Sequence, residues 1–296
     1  MGLDDMITEA RSDDTRDLDL RSTSELVELM NQRDAAVPTA VASSAADIAV
    51  VVDAVVERLQ AGGRLVYVGA GSSGRLAAVD ASECEATFAA APGQVIALLA
   101  GADAPSSLEQ EAAEDDADAG RHDVHSLGVG ATDAVIGISA SGHTPYVLGA
   151  MEAAGAAGAA TACVVNALGS PLALLVERAI VVVVGPELLA GSTRLKAGTA
   201  QKLVLNTIST ISMIRLGKTF DNLMVDVVAT NEKLRARVRR IVMTATGAPP
   251  DEADRALAAA DGSAKVAIVT LLAGVDVETA RSRLAAAGGN IRQALA

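Results

Sequence analysis

The sequence predicts an α/β protein: a doubly wound, five-stranded parallel sheet flanked by helices, followed by a small all-helical domain. Three observations carry this prediction. From residue 45 onward, apolar runs of strand length alternate with helical patterns, and the runs are continuously apolar, as strands covered on both faces must be. Two of these runs end in glycine and hydroxyl residues that open directly into helices. Beyond Asn231 the composition changes to short Ala-rich helical patterns separated by glycines and prolines.

Residues 1–44 read as a polar lead-in with one short amphipathic helix over Thr23–Gln32. Apolar residues recur at helical spacing from Ala45 to Gln60, and Gly62-Gly63 stops that helix. Strands are predicted at Arg64–Gly69, Val95–Ala100, Asp133–Ser139, Thr161–Asn166 and Ala179–Val184. Helices between them are predicted at Ser73–Ala81, Leu108–Ala119 and Pro145–Ala156, and a long helix at Thr193–Leu216 ends at Gly217. The α/β domain thus spans 45–230, and a helical domain over 231–296 carries helices at Glu232–Met243, Pro250–Ala260, Ser263–Leu272 and Val277–Ala285.

Half of the 296 residues are apolar, but Ala and Val supply most of them, with no Trp, two Tyr and two Phe. An interior of small side chains packs helices closely on the sheet and favours oligomerisation as a way to bury more surface. The net charge of −13 argues against a nucleic-acid partner, because duplex binding rests on Lys and Arg. An anionic ligand must therefore be held locally, by hydroxyls and helix N-termini. Cys84 and Cys163 have no paired spacing, so the expectation is two small buried hydrophobes in a reducing compartment, and no metal site. Met1 to Arg21 contains no apolar run of signal length, and no stretch reaches the roughly 18 apolar residues of a membrane span. The expectation is a cytoplasmic protein with no membrane partner.

The most informative stretch is Tyr67-Val68-Gly69-Ala70-Gly71-Ser72-Ser73-Gly74-Arg75, a strand end that turns through three glycines and two hydroxyls into a helix. Such a turn brings backbone close to a ligand and aims unpaired N–H groups at it, which suits phosphate. Gly69, Gly71 and Gly74 formally match the dinucleotide fingerprint. That fingerprint needs an acid at the end of the second strand, and here the second run ends in Gly101-Ala102 with Asp103 beyond it. A second loop of the same chemistry, Ser139-Ala140-Ser141-Gly142-His143-Thr144-Pro145, follows the Asp133–Ser139 run, with Pro145 marking a helix start. Two hydroxyl loops at the ends of two parallel strands suit one compact phosphomonoester better than an extended pyrophosphate.

Carboxylates follow the first cradle and the second strand. Asp80-Ala81-Ser82-Glu83-Cys84-Glu85 lies after the first, and Glu109-Gln110-Glu111 with Glu114-Asp115-Asp116 lies after the second strand. Glu111 and Glu114, three apart, are predicted on one helix face. Charge runs of this kind ordinarily form solvated helix surfaces, but both follow strands of one sheet on its ligand side.

Taken with Gly185-Pro186-Glu187-Leu188-Leu189-Ala190-Gly191-Ser192-Thr193-Arg194-Leu195-Lys196, these motifs make the chain resemble the N-acetylmuramic acid 6-phosphate etherases, a family with the sugar-isomerase (SIS) fold. The resemblance runs from Thr8-Glu9 to Asn231-Glu232-Lys233-Leu234. Departures from the family pattern are Ser72 where Thr is usual, Glu85 and Ala86 where prolines stand, His143 in place of Arg, and Arg33 in place of an acid. His143 reads as a polar loop residue.

The resemblance implies a reaction on the open-chain phosphosugar: removal of the C2 proton, expulsion of D-lactate from C3, then addition of water. It implies Glu83 as proton donor to lactate, Glu114 as the base at C2, and Glu111 on a sugar hydroxyl. Ser72, Ser73, Ser139, Ser141 and Thr144 would surround the 6-phosphate, and Arg194 or Lys196 would pair with the lactate carboxylate or the sugar, Arg194 being the better bidentate partner and a surface or interface role being an equal reading of Lys196. No cofactor or metal is called for, and a homodimer with sites near the interface is expected. The rivals are a phosphosugar-sensing regulator of the glucokinase-regulatory-protein type and an aldose–ketose isomerase. The first should contain two SIS domains, more than 296 residues hold, and the second would release no lactate.

Overall fold

The computed structural model describes residues 7–104, 106–227 and 231–296. The first six residues of the lead-in and the predicted boundary at residue 230 lie outside the described residues. The chain forms two compact units: one holds the chain up to Ser82 with Gly93–Ser209, the other Glu83–Pro92 with Thr210–Ala296.

In the first unit β1 (Leu65–Gly69), β2 (Val95–Leu99), β3 (Ala134–Ser139), β4 (Ala160–Val165) and β5 (Arg178–Val181) make one parallel sheet in the order β2-β1-β3-β4-β5. β1, β3 and β4 are buried along their whole length, which is why they read as unbroken apolar runs. The predicted fifth strand is shortened at its end. Val182 still donates to Val165 O, and the chain then leaves the sheet as a loop.

The lead-in carries α1 (Thr23–Asp34), α2 (Val37–Ser43) and α3 (Ala45–Gln60). Ser22 and Glu25 form a reciprocal capping box that starts α1 where predicted, whereas α2 was not predicted. α3 buries Ile48, Val51, Val52, Val55, Val56 and Leu59, the helical spacing visible in the sequence. α4 (Gly71–Phe88), α5 (Ser107–Ala112), α6 (Ala117–Ser126), α7 (Pro145–Ala156), α8 (Pro171–Leu175) and α9 (Lys196–Arg215) complete the layers. Gly120 and Gly149 bring α6 and α7 into backbone contact, because a Cβ on either would stand 2.0 Å from a carbonyl oxygen of the other helix. Tyr146 of α7 donates to Asp123 of α6 at 2.5 Å, and burial together with that carboxylate pushes its phenol pKa upward.

Two helix predictions are corrected. α4 starts at Gly71 rather than Ser73 and runs to Phe88 rather than Ala81, since no proline or glycine interrupts Arg75–Ala91. The single helix predicted over Leu108–Ala119 breaks into α5, a 3₁₀ turn over Ala113–Asp115, and α6. Asp116 accepts the N–H of Ala119 at 2.9 Å and thereby caps a new helix. Glu111 and Glu114 consequently sit on different elements, not on one α-helical face.

The amino edge of the sheet is closed by an ion pair. Arg64 donates to both oxygens of Asp133, at 3.1 and 2.7 Å. Burial opposes ionisation of Asp133, yet the hydrogen bonds from Arg64 and from the Gly130 and Arg64 N–H groups hold its carboxyl below the ordinary range.

The second unit contains a short hairpin, β6 (Thr219–Phe220) with β7 (Leu223–Met224), and the helices α10 (Glu232–Thr246), α11 (Pro250–Ala259), α12 (Ala264–Ala273), α13 (Val277–Ala286) and α14 (Ile291–Leu295). Asn231 caps α10 and Gly247, at φ 74°, ends it. Its core is built from small residues such as Val238, Val242, Ala253, Ala267 and Ala280. Asp226 binds the nearly buried Lys265 at 2.5 Å with Lys218 at 3.5 Å. The hairpin and α14 are too short to show a period and were not predicted. Among the described residues, no single helix is long and apolar enough to cross a membrane.

Candidate active site

The sheet order turns back between β1 and β3, where Gly69 lies opposite Ile138. The loops after these two strands therefore leave the same carboxyl edge side by side, at the position where open α/β sheets bind ligands. Ser72, Ser73, Ser139 and Ser141 all belong to that edge.

The first loop is as tight as its glycines allow. Gly71 has φ 51°, and a Cβ at Gly74 would stand 2.3 Å from Leu99 Cδ1 and 2.7 Å from Gly69 O. Glycine at 74 thus lets the first turn of α4 rest directly on the strand ends. Ser72 and Ser73, both half-buried, lie in that first turn among the N–H groups that have no helical acceptor.

The second loop orders itself. Ser139 Oγ accepts the Gly142 N–H at 3.0 Å and lies 2.9 Å from Thr144 Oγ1, while Ser141 Oγ accepts the His143 N–H at 3.2 Å. Ser139 is buried, whereas Ser141 and Thr144 are half-buried. His143 Nδ1 donates to Ser141 O at 2.9 Å, so the imidazole also braces its own loop.

Among the carboxyls, Glu114 meets the first loop. It lies on the 3₁₀ turn after α5, and its Oε2 is 3.8 Å from where a Cβ on Gly71 would be. Burial, reinforced by Asp115 and Glu111, holds its carboxyl above the ordinary range. Glu111 is exposed on α5. Glu83 is exposed on α4, and a helix rise of 1.5 Å per residue puts it roughly 18 Å along the axis beyond Gly71.

Three further polar residues have duties that the sequence reading did not assign. Asp80 is buried and receives Tyr67 Oη at 3.0 Å, Asn206 Nδ2 at 2.9 Å and Ser209 Oγ at 3.0 Å, tying β1, α4 and α9 together. Glu187 is buried and accepts the backbone N–H groups of Lys196 and Ala197 at 3.0 and 2.9 Å, which starts α9 at Lys196 instead of Thr193. Asn166 links the second loop to α9: its N–H donates to Ala140 O, and its Oδ1 accepts from Gln201 Nε2 at 3.1 Å. The signal for Asp80 was Tyr67, the one hydroxyl in an apolar strand. Arg194 is exposed, and Lys196 is buried with Nζ donating to Val184 O at 2.6 Å.

The chain is similar to known proteins in both fold and sequence. Residues 47–155 match the model of the glucokinase regulatory protein N-terminal SIS domain. In solved structures, a candidate phosphosugar isomerase involved in capsule formation from Bacteroides fragilis shares the fold, with a TM-score of 0.51 and 19% identity over 68% of this chain and 94% of that one. Among curated proteins, the N-acetylmuramic acid 6-phosphate etherase of Rubrobacter xylanophilus is 57% identical over 99% of this chain and 97% of its own. The etherase of Streptomyces coelicolor is 53% identical over 99% and 94%, and that of Mycolicibacterium smegmatis 49% identical over 100% and 99%. Identity of this order along essentially the whole length of each protein leaves one conclusion: the chain belongs to the N-acetylmuramic acid 6-phosphate etherase family.

Proposed function

We propose that this enzyme cleaves the D-lactyl ether of N-acetylmuramic acid 6-phosphate, giving N-acetylglucosamine 6-phosphate and D-lactate by elimination and rehydration, in cytoplasmic recycling of cell-wall amino sugar. The observation that carries the reading is the raised, half-buried Glu114 beside the Gly71 turn, on the sheet edge that also bears the second hydroxyl loop. Ser72, Ser73, Ser141 and Thr144, with the N–H groups of the α4 start, bind the 6-phosphate, and Ser139 shapes the second loop for it. Arg194 and Glu111 contact the sugar or its lactyl arm. Cys84 and Cys163 are both buried and form no disulfide among the described residues, which suits a reducing compartment.

On the ring-opened substrate, Glu114 takes the C2 proton. The electrons of the C2–H bond form the C2–C3 double bond, the C3–O bond breaks, and Glu83 protonates the departing lactate oxygen. The ionised Glu83 then takes a proton from water as it adds at C3, and Glu114 returns its proton to C2. Two carboxyls in different surroundings divide the acid and base roles in this way.

The active form is a homodimer in this reading. α4 carries Glu83 three turns past the Gly71 loop that Glu114 meets, and two chains can bring Glu83 of one to Glu114 of the other. The test of the function is lactate release from N-acetylmuramic acid 6-phosphate by the purified protein. Stoichiometric lactate and N-acetylglucosamine 6-phosphate are expected; phosphosugar binding without lactate would favour the regulator, and a ketose product the isomerase.

A further inference from the structure

Lys196 opens α9 only 6% exposed, and its ammonium has three N–H donors. Val184 O, at 2.6 Å, is the one acceptor it meets among the described residues, and it forms no ion pair there. Glu187 is nearby, but both of its oxygens are engaged by the backbone N–H groups of Lys196 and Ala197. A buried ammonium with one neutral acceptor is costly unless something else meets it.

The first turns of α9 place that ammonium at the carboxyl edge of the sheet. Gly198, half a turn on, has Leu76 of α4 3.7 Å from its Cβ position, just behind the first hydroxyl loop. Gln201, one turn further, is bonded to Asn166, which holds Ala140 of the second loop. Val184 and Gly185, against which Nζ lies, continue from the end of β5 on the same edge.

We propose that Lys196 is the specificity-determining residue of the etherase, receiving the lactyl carboxylate of the substrate. This rests on the etherase reading above. The 6-phosphate has two hydroxyl loops of its own, and substrate differs from sugar product by one anionic group, the carboxylate on the ether arm. A single enclosed point charge is the feature that discriminates on that difference, and the exposed Arg194 does so less well because water screens it. Burial, with Arg33 nearby, also draws the Lys196 ammonium below its ordinary pKa, and the charges of Glu187, Asp34 and Asp14 offset that only in part, so an incoming carboxylate favours the charged form further.

The experiment compares Lys196→Met, Lys196→Gln and Lys196→Arg for turnover of N-acetylmuramic acid 6-phosphate and for calorimetric binding of N-acetylglucosamine 6-phosphate, which lacks the carboxylate. Lys196→Met should lower kcat/KM about 10–100-fold, mainly through KM, while binding of the sugar product stays within about twofold, which also reports an intact fold. Lys196→Gln, which keeps a neutral N–H donor, should be impaired like Met, and Lys196→Arg should recover part of the loss. Rescue by Gln, or equal loss of substrate and product affinity, would assign Lys196 to loop structure or phosphate and overturn the proposal. An unmodified enzyme that binds the product but releases no lactate would instead refute the etherase reading itself.

Discussion

Glu114 is a carboxyl whose surroundings oppose its charge, and this has two measurable consequences. In the proposed role of base it must be ionised, so kcat/KM should fall on the acid side with a midpoint above the ordinary Glu value of 4.5, read from a pH profile. For stability the sign is the reverse. A carboxyl whose pKa is raised by folding favours the native state while protonated, and that contribution is lost as pH rises through the folded-state pKa. Glu114→Gln should therefore melt about 1–3 °C higher than the parent at pH 7, with the difference vanishing below the unfolded pKa, while losing lactate release. Cys163 is a contrasting case: burial pushes its thiol up to about 12, and it should resist alkylation at neutral pH in the native protein. The two glycine and hydroxyl loops were legible in the sequence, because each follows an apolar strand and opens a helix. The partners of Asp80 and Glu187 were not, since Asn206, Ser209 and the α9 N–H groups are brought to them only by the folded chain.

At the scale of elements, the strands were readable because a sheet covered on both faces demands continuous apolar side chains. Helix ends were less so. They depend on which side chain wins the unpaired N–H groups: Asp116 ends one predicted helix by capping another, and Glu187 starts α9 from nine residues upstream. Contacts without side chains govern the rest. Gly74→Ala forces a methyl onto Leu99 and Gly69 O and should cost roughly 1–3 kcal/mol in urea unfolding, together with most of the activity, as the α4 start moves off the strand ends. Tyr146→Phe leaves the α6–α7 packing in place but removes the bond to Asp123, and about 1–2 kcal/mol of stability should go with it.

For the whole molecule, the doubly wound sheet and the helical C-terminal region followed from the alternation of patterns. The way the carboxyls complete a site did not follow, because sequence proximity says nothing about which chain supplies Glu83. If two chains share each site, Glu83→Gln and Glu114→Gln proteins should each be nearly inactive, yet regain about a quarter of the parental rate when subunits are exchanged in equal amounts, since half the dimers then carry one intact site. No recovery, with exchange verified by mass, would place both carboxyls of a site on one chain.

The division of labour between the two acids is tested most directly by following deuterium entry at C2 of N-acetylmuramic acid 6-phosphate in heavy water alongside lactate release. Glu83→Gln should lose lactate release by roughly 10²–10⁴-fold while C2 exchange persists, and Glu114→Gln should lose both. Exchange retained in Glu114→Gln and lost in Glu83→Gln would reverse the roles, and full lactate release from both variants would contradict the paired-carboxyl mechanism outright.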